Sequence, residues 1–191
     1  RDIRPLNYII GPLGSGKTRL ALRLADALPG AAFVGLDRLE NDGAAARDML
    51  RTDPALKSRV DRASAALAAR GATPSAALTA LLVALEAEGP RTRVVDMIEQ
   101  DLDRPTQQAL IARLREQAAA GMRPLFLLTR SSAILDLSAV GPHEAIILCP
   151  ANHSPPSRVA PYPGSPGYEA VATCLASPEI RARIAHPPEA A

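Results

Sequence analysis

The stretch Gly11-Pro12-Leu13-Gly14-Ser15-Gly16-Lys17-Thr18 decides the fold of this chain. It matches the pattern G-x-x-x-x-G-K-[ST], whose glycines allow backbone N–H groups to close around phosphate oxygens. A short apolar run at residues 6–10 precedes it, and residues 17–28 carry apolar side chains at helical spacing. A buried strand, a glycine-rich turn and a helix in this order predict a phosphate-binding loop. An ordinary glycine-rich turn is the alternative, and the flanking patterns argue against it.

Each residue type in this loop has a chemical reason to be there. Gly11, Gly14 and Gly16 lack a Cβ, so the backbone can take positive φ and wrap around an anion. Lys17 reaches the β and γ phosphates of a nucleotide, and the Thr18 hydroxyl is placed to ligate Mg²⁺. The helix that begins here adds the positive end of its dipole. We therefore expect all eight loop residues to contact a nucleoside triphosphate, with Lys17 in a catalytic role and Thr18 as a metal ligand.

The composition limits the function classes. The chain has 191 residues, enough for one α/β domain, and its net charge of +2 gives no indication of nucleic-acid binding. No apolar stretch approaches the roughly 20 residues that cross a bilayer, and no segment resembles a signal peptide, so we expect a cytoplasmic protein. Cys149 and Cys174 are predicted to be thiols rather than a disulfide or a metal site.

Strand and helix patterns alternate along most of the chain. After the first strand and helix, short and almost wholly apolar runs predict further strands at residues 32–36, 93–98, 124–129 and 144–149. Helical patterns fill residues 44–88 and 104–120, the latter with Asp103 as N-cap and Gly121 beyond its end. The alternation predicts a three-layer α/β P-loop NTPase fold, with a mostly parallel central sheet and flanking helices.

The domain organisation follows from the same patterns. We expect a nucleotide-binding domain over residues 1–150, with a helical insertion at about 44–88. Many of the 18 prolines fall after residue 148, so residues 151–191 are expected to form a proline-rich extension that packs on the same domain.

A carboxylate at the end of a second buried strand would complete a magnesium site with Thr18. Asp96 follows Val94 and Val95 at the end of such a strand, so we expect it to ligate the metal and to take part in catalysis. An aspartate that only caps a turn at the strand end is the alternative.

The run at residues 94–114, Val-Val-Asp-Met-Ile-Glu-Gln-Asp-Leu-Asp-Arg-Pro-Thr-Gln-Gln-Ala-Leu-Ile-Ala-Arg-Leu, resembles the Walker B and D-loop segment of ABC-type ATPases. It is most similar to that of the SMC-like ATPases of the AAA-ABC group. Residues 125–132 resemble the strand and H-loop of this family, and residues 134–137 and 144–148 resemble its closing strand. Together with the Walker A loop, the resemblance implies ATP and Mg²⁺ as ligands and an ATP-dependent homodimer or contact with a partner subunit.

The chain also departs from the family pattern. Met97 stands where the family has its catalytic glutamate, Arg130 stands where it has a histidine, and residues 72–76 lack the glycine of its signature. The resemblance therefore implies firm ATP binding and slow hydrolysis. Glu99 is a candidate catalytic residue, with a structural D-loop role as the alternative. Arg130 is a candidate γ-phosphate ligand, with an ordinary surface arginine as the alternative.

Two other function classes remain open at this point. A small-molecule or nucleotide kinase would use Asp37, after the second strand, as its base. In such kinases the Walker B strand lies beside the Walker A strand, whereas another strand intervenes in the ABC and related groups. A nucleotide-binding regulatory module without hydrolysis is the third class, and Met97 and Arg130 favour it.

Overall fold

The computed structural model describes residues 3–152 and 154–176. Within them a six-stranded sheet has the spatial order β2-β3-β4-β1-β5-β6. The first five strands are parallel to their neighbours, and β6 runs antiparallel to β5. The strands are β1 (Leu6–Ile10), β2 (Ala31–Val34), β3 (Thr92–Val95), β4 (Leu125–Leu128), β5 (Glu144–Leu148) and β6 (Ser157–Val159). The predicted mostly parallel sheet is confirmed.

The apolar run at residues 6–10 forms β1, a central strand of the sheet. All five of its residues are buried, between β4 on one side and β5 on the other. Tyr8 pairs with Leu127 and with Ile146 in this register. Central parallel strands are covered by helices on both faces, which explains why the run is almost wholly apolar. The loop at residues 11–18 therefore starts from a fully buried strand with a neighbour on each side.

Three of the described helices begin at a side chain that caps their first turn. Asp53, Ser75 and Asp103 each accept a hydrogen bond from the N–H three residues ahead, at 2.8, 3.1 and 2.8 Å. The helices are α1 (Lys17–Ala27), α2 (Ala44–Thr52), α3 (Pro54–Ala68), α4 (Ala76–Glu86), α5 (Arg104–Ala119) and α6 (Tyr168–Leu175). Helices α2, α3 and α4 lie between β2 and β3 in the chain, where the helical insertion is expected.

Alternate side chains of β1 point into two different apolar clusters, one on each face of the sheet. Tyr8 and Ile10 belong to a large cluster with residues of α2 to α5, while Ile9 belongs to a smaller cluster with Ala21 of α1. Helices therefore cover both faces, and the predicted three-layer fold is confirmed.

The proline-rich extension contributes to the same sheet and core in its described part. Val159 of β6 pairs with Ile146 of β5. Val159, Val171 and Leu175 are buried in the large cluster. The sequence patterns did not predict β6, because a run of three residues among prolines gives little strand signal. Residues 177–191 of the expected extension lie outside the described residues.

Candidate functional site

The loop at residues 11–18 follows β1 directly and turns into α1. Gly14 and Gly16 have φ of +78° and +85°, a conformation that favours glycine. Gly11 is required for a different reason, since a Cβ there would lie 2.4 Å from the carbonyl oxygen of Cys149 and 2.6 Å from Ser15 Oγ. Gly11 thus lets the loop lie close against Cys149, which follows β5, while Gly14 and Gly16 allow its left-handed backbone.

The amino group of Lys17 closes the loop from inside. Its Nζ donates hydrogen bonds to the carbonyl oxygens of Gly11 and Pro12, at 2.7 and 2.6 Å, and lies 3.4 Å from Ser15 Oγ. Burial lowers the pKa of Lys17, and the positive charge of Arg130 lowers it further. An anion bound between the two cations would remove this repulsion, so the arrangement fits a phosphate.

Thr18 and Asp96 meet beside the loop. Thr18 Oγ1 lies 3.4 Å from Asp96 Oδ2, and Asp96 is only 8% exposed. A hydroxyl and a carboxylate are hard oxygen donors, and Mg²⁺ is usually held by one or two such side chains together with phosphate oxygens and waters. The described residues contain no cluster of three or more His, Cys, Asp or Glu side chains that would form a metal cage of protein ligands alone. The pair fits Mg²⁺ bound together with a nucleotide.

A guanidinium group fixes the backbone on which Asp96 stands. Arg38 donates through Nη1 to the carbonyl oxygens of Gly35 and Asp96, at 2.8 and 2.9 Å, and through Nη2 to that of Met97 at 2.8 Å. Burial lowers the pKa of Arg38. Met97 has a φ of +43°, which is uncommon for residues other than glycine and asparagine. Arg38 therefore links the segment after β2 to the strained turn after β3.

A cavity of about 490 Å³, the Asp96 cavity, opens beside these groups. It is lined by site residues that the sequence predicted in three segments: the loop, the turn after β3 and the turn after β4. Its lining residues are Leu13, Gly14, Gly16, Lys17, Thr18, Arg19, Leu36, Asp96, Met97, Gln100 and Arg130. The volume lies within the range of small-molecule sites.

Glu99 lies next to Arg130, outside the lining of the Asp96 cavity. Its Oε1 accepts a hydrogen bond of 2.8 Å from the Arg130 main-chain N–H. Glu99 Oε2 and Arg130 Nε are buried and have no hydrogen-bond partner within the described residues. Glu99 thus supports the turn that carries Arg130.

The described structure brings most of the sequence-predicted site residues together and adds others. Asp37, the candidate kinase base, is exposed and does not line the Asp96 cavity. Arg38, Leu36 and Gln100 had no assigned role, because no motif in the sequence marks these three residues. Only the parallel sheet order, which aligns the ends of the strands, could have indicated their place at the site.

A larger cavity of about 510 Å³ lies at the opposite end of the strands. Its arginines already have partners: Arg59 and Arg113 bind Glu88 and Glu86, and Arg93 donates to the carbonyl oxygens of Ala84 and Ala87. These bonds hold α4 to neighbouring elements. The cavity therefore has a structural explanation and is separate from the loop.

The order of the strands identifies the kind of fold. The loop at residues 11–18 follows β1, Asp96 follows β3, and β4 lies between these two strands. This is the strand order expected of ABC-type and related P-loop NTPases, and it differs from the order expected of small P-loop kinases. The structure is therefore a P-loop NTPase fold of the ABC-like kind.

Solved structures of ABC transporter cassettes share this fold. The ADP conformation of MJ1267, an ATP-binding cassette of an ABC transporter, has a TM-score of 0.53 and 14% identity over 95% of this chain and 88% of that chain. The dimeric MJ0796, a bacterial ABC transporter cassette, has a TM-score of 0.54 and 15% identity, covering 83% of this chain and 88% of that one.

A bacterial Atm1-family ABC exporter with ATP bound has a TM-score of 0.56 and 13% identity over 81% of this chain. The match covers 34% of the exporter chain. At these identities the likeness concerns the fold, and the predicted resemblance to ABC-type ATPases is confirmed at that level. No protein-family model matches the sequence, and no curated protein matches it.

Within the described residues, none of the helices is both long enough and apolar enough to span a membrane. Location in the cytoplasm stays a prediction.

Proposed function

We propose that this chain binds ATP with Mg²⁺ on the phosphate loop and acts as an ABC-like ATPase or nucleotide switch with slow hydrolysis. The arrangement of Lys17 carries this proposal. Its amino group is held by the loop carbonyls of Gly11 and Pro12, the residue is only 8% exposed, and it lines the same cavity as Thr18 and Asp96. Two carbonyl oxygens hold the ammonium in place, and a phosphate would supply the counter-charge that they lack.

The proposed roles follow from the positions around the Asp96 cavity. The loop N–H groups and Lys17 would bind the phosphates, and Thr18 and Asp96 would ligate Mg²⁺. The metal would offset negative charge on the β and γ phosphate oxygens. Arg130 faces the same cavity from the end of β4 and would bind the γ-phosphate. Glu99 stays a candidate catalytic residue, acting directly on water or through Arg130.

Slow hydrolysis is proposed because of Met97. Its side chain lines the cavity where a carboxylate could polarise an attacking water, and a thioether cannot accept the proton. The same observation favours a second candidate, a regulatory module that binds ATP without hydrolysis. The kinase alternative has less support, since β4 separates β1 from β3.

The proposed partner is a second copy of this chain or another subunit that meets the open side of the Asp96 cavity. Leu13 is 82% exposed on the loop, and Leu36 is 42% exposed at the same cavity. Two exposed leucines beside a nucleotide site fit a contact that forms when ATP is bound. Molar mass measured with and without Mg²⁺ and a non-hydrolysable ATP analogue tests this, and Leu13→Ser should weaken any ATP-dependent association.

The function is tested by nucleotide binding with and without Mg²⁺, together with phosphate release. Wild-type protein should bind ATP, and Lys17→Ala should lower its affinity by about a hundredfold, since a charge-assisted contact to phosphate is lost. Arg62→Ala, in the exposed face of α3, serves as the control. Unchanged ATP affinity in Lys17→Ala would contradict the proposal. Phosphate release no faster than in Lys17→Ala, with ATP binding retained, would favour the regulatory module.

A further inference from the structure

A second cavity, of about 420 Å³, adjoins the phosphate loop, and we name it the Arg23 cavity. Arg19, Arg23, Cys149, Ser154 and Pro156 line it together with the loop glycines. Because β1 lies between β4 and β5, the segment after β5 stands on the opposite side of the loop from the segments after β3 and β4. The Arg23 cavity and the Asp96 cavity therefore flank the loop on its two sides.

Two cations on α1 face this cavity without a counter-charge. Arg19 and Arg23 are one helical turn apart, both are exposed, and neither has a hydrogen bond or ion pair with any other described residue. Like charges at this spacing repel each other on a helix. Arg19 lines both cavities, whereas Arg23 lines only the second. A ligand that continues from one cavity to the other would pass Arg19 first and reach Arg23 at its far end.

The loop fixes the direction of such a ligand. The terminal phosphates of a triphosphate would lie at Lys17, Thr18 and Asp96, so the rest of the molecule would extend from there along the loop. Gly14 and Gly16, which carry no side chain, line both cavities. The Arg23 cavity is thus the space that the remaining part of a nucleotide would enter.

We propose that the Arg23 cavity binds the nucleoside end of the triphosphate, with the base stacked on the guanidinium plane of Arg23; this rests on the proposed function. Arginine stacks on aromatic faces, and Pro156 adds an apolar wall. No described lining residue of this cavity is Asp or Glu, so a carboxylate that would read the edge of a guanine is missing there. Arg23 contacts the face of the base, which every purine presents.

The experiment compares two ligands, ATP and inorganic tripolyphosphate, each with Mg²⁺, by calorimetric titration. Tripolyphosphate occupies only the phosphate part of the site, so the ratio of the two affinities reports on the nucleoside. Arg23→Lys keeps the charge and removes the planar guanidinium. It should lower ATP affinity about threefold to tenfold, the scale of one cation–π contact, and leave tripolyphosphate affinity within about twofold. The loss should be the same with GTP.

Arg51→Lys, at an exposed position of α2, is the charge-conserving control and should leave both affinities unchanged. If the ratio of ATP affinity to tripolyphosphate affinity is unchanged in Arg23→Lys, the stacking proposal is overturned, whether both ligands weaken together or neither does. ATP binding by the wild type would still support the proposed function in that case. Wild-type protein that binds neither ligand contradicts the proposed function, and the nucleoside site with it.

Discussion

The main-chain N–H of Arg130 donates a hydrogen bond of 2.8 Å to Glu99 Oε1. This bond joins the segment after β4 to the segment after β3, two neighbouring parallel strands. Because the donor is the main chain, the side chain of Arg130 remains available to line the Asp96 cavity. Glu99 therefore helps to position Arg130 in the structure described. Glu99 could affect ATP turnover in two ways, by positioning Arg130 or by acting directly as a base on water.

Replacing Glu99 by Gln or by Ala distinguishes these routes. Gln keeps an oxygen that accepts from the Arg130 N–H, and Ala does not. If Glu99 positions Arg130, as the hydrogen bond indicates, Glu99→Gln should release phosphate within about threefold of the wild type and Glu99→Ala about tenfold more slowly. A direct base would instead lose about a hundredfold in both variants. Single-turnover phosphate release at saturating ATP measures this, and the second pattern would contradict positioning.

The sequence predicted the sheet, the helices and the loop because these depend on local patterns. Leu6–Ile10 and Leu125–Leu128 are short and mostly apolar runs, Thr92–Val95 ends in two buried valines, and each is a strand. The first strand has the predicted bounds, and the next four end about one to three residues before the predicted ends, where the chain turns into the site. The contacts of Arg38 with Asp96 and Met97, 58 and 59 residues away, could not be predicted, since no motif marks Arg38 as the phosphate loop marks Thr18. Local patterns carry no information on such pairings.

Arg130 gives a prediction that separates ATP from ADP. If its guanidinium binds the γ-phosphate, Arg130→Ala should lower ATP affinity about tenfold and leave ADP affinity within about twofold, as expected for the loss of one charge-assisted contact. The main-chain bond to Glu99 survives this substitution, so the turn should stay in place. Equilibrium binding of both nucleotides with Mg²⁺ is the measurement.

Arg62→Ala is the matched control for Arg130, since Arg62 is exposed on α3 and distant in sequence from every loop of the site. If Arg130→Ala lowers the affinities for ATP and ADP equally, the Arg130 guanidinium does not bind the γ-phosphate.

Met97 gives a gain-of-function prediction. Its side chain lines the Asp96 cavity, and Arg38 Nη2 donates to its carbonyl oxygen, so the backbone is held whatever side chain is present. Met97→Glu should therefore raise ATP turnover about tenfold or more, because a carboxylate there can accept a proton from water. Met97→Gln controls for polarity and size. Turnover that is equal in the Glu and Gln variants would show that slow hydrolysis has another cause.

Gly11 gives a prediction on stability and binding together. A Cβ at this position would lie 2.4 Å from the Cys149 carbonyl oxygen, which is backbone and cannot turn away. We expect Gly11→Ala to lower the free energy of unfolding by about 1–3 kcal/mol, as overpacking does, and to abolish ATP binding because the loop must shift. Urea unfolding and ATP titration measure the two effects.

Gly14→Ala is the comparison that separates crowding from backbone strain. No atom lies within 4 Å of a Cβ built at Gly14, and its φ is +78°. The only expected cost is that of placing alanine in the left-handed backbone conformation, about 1 kcal/mol of folding free energy. The free energy of unfolding should fall less than in Gly11→Ala, and weak ATP binding should remain. If Gly11→Ala instead keeps the wild-type free energy of unfolding and the wild-type ATP affinity, the close contact between Gly11 and Cys149 has no role in shaping the phosphate site.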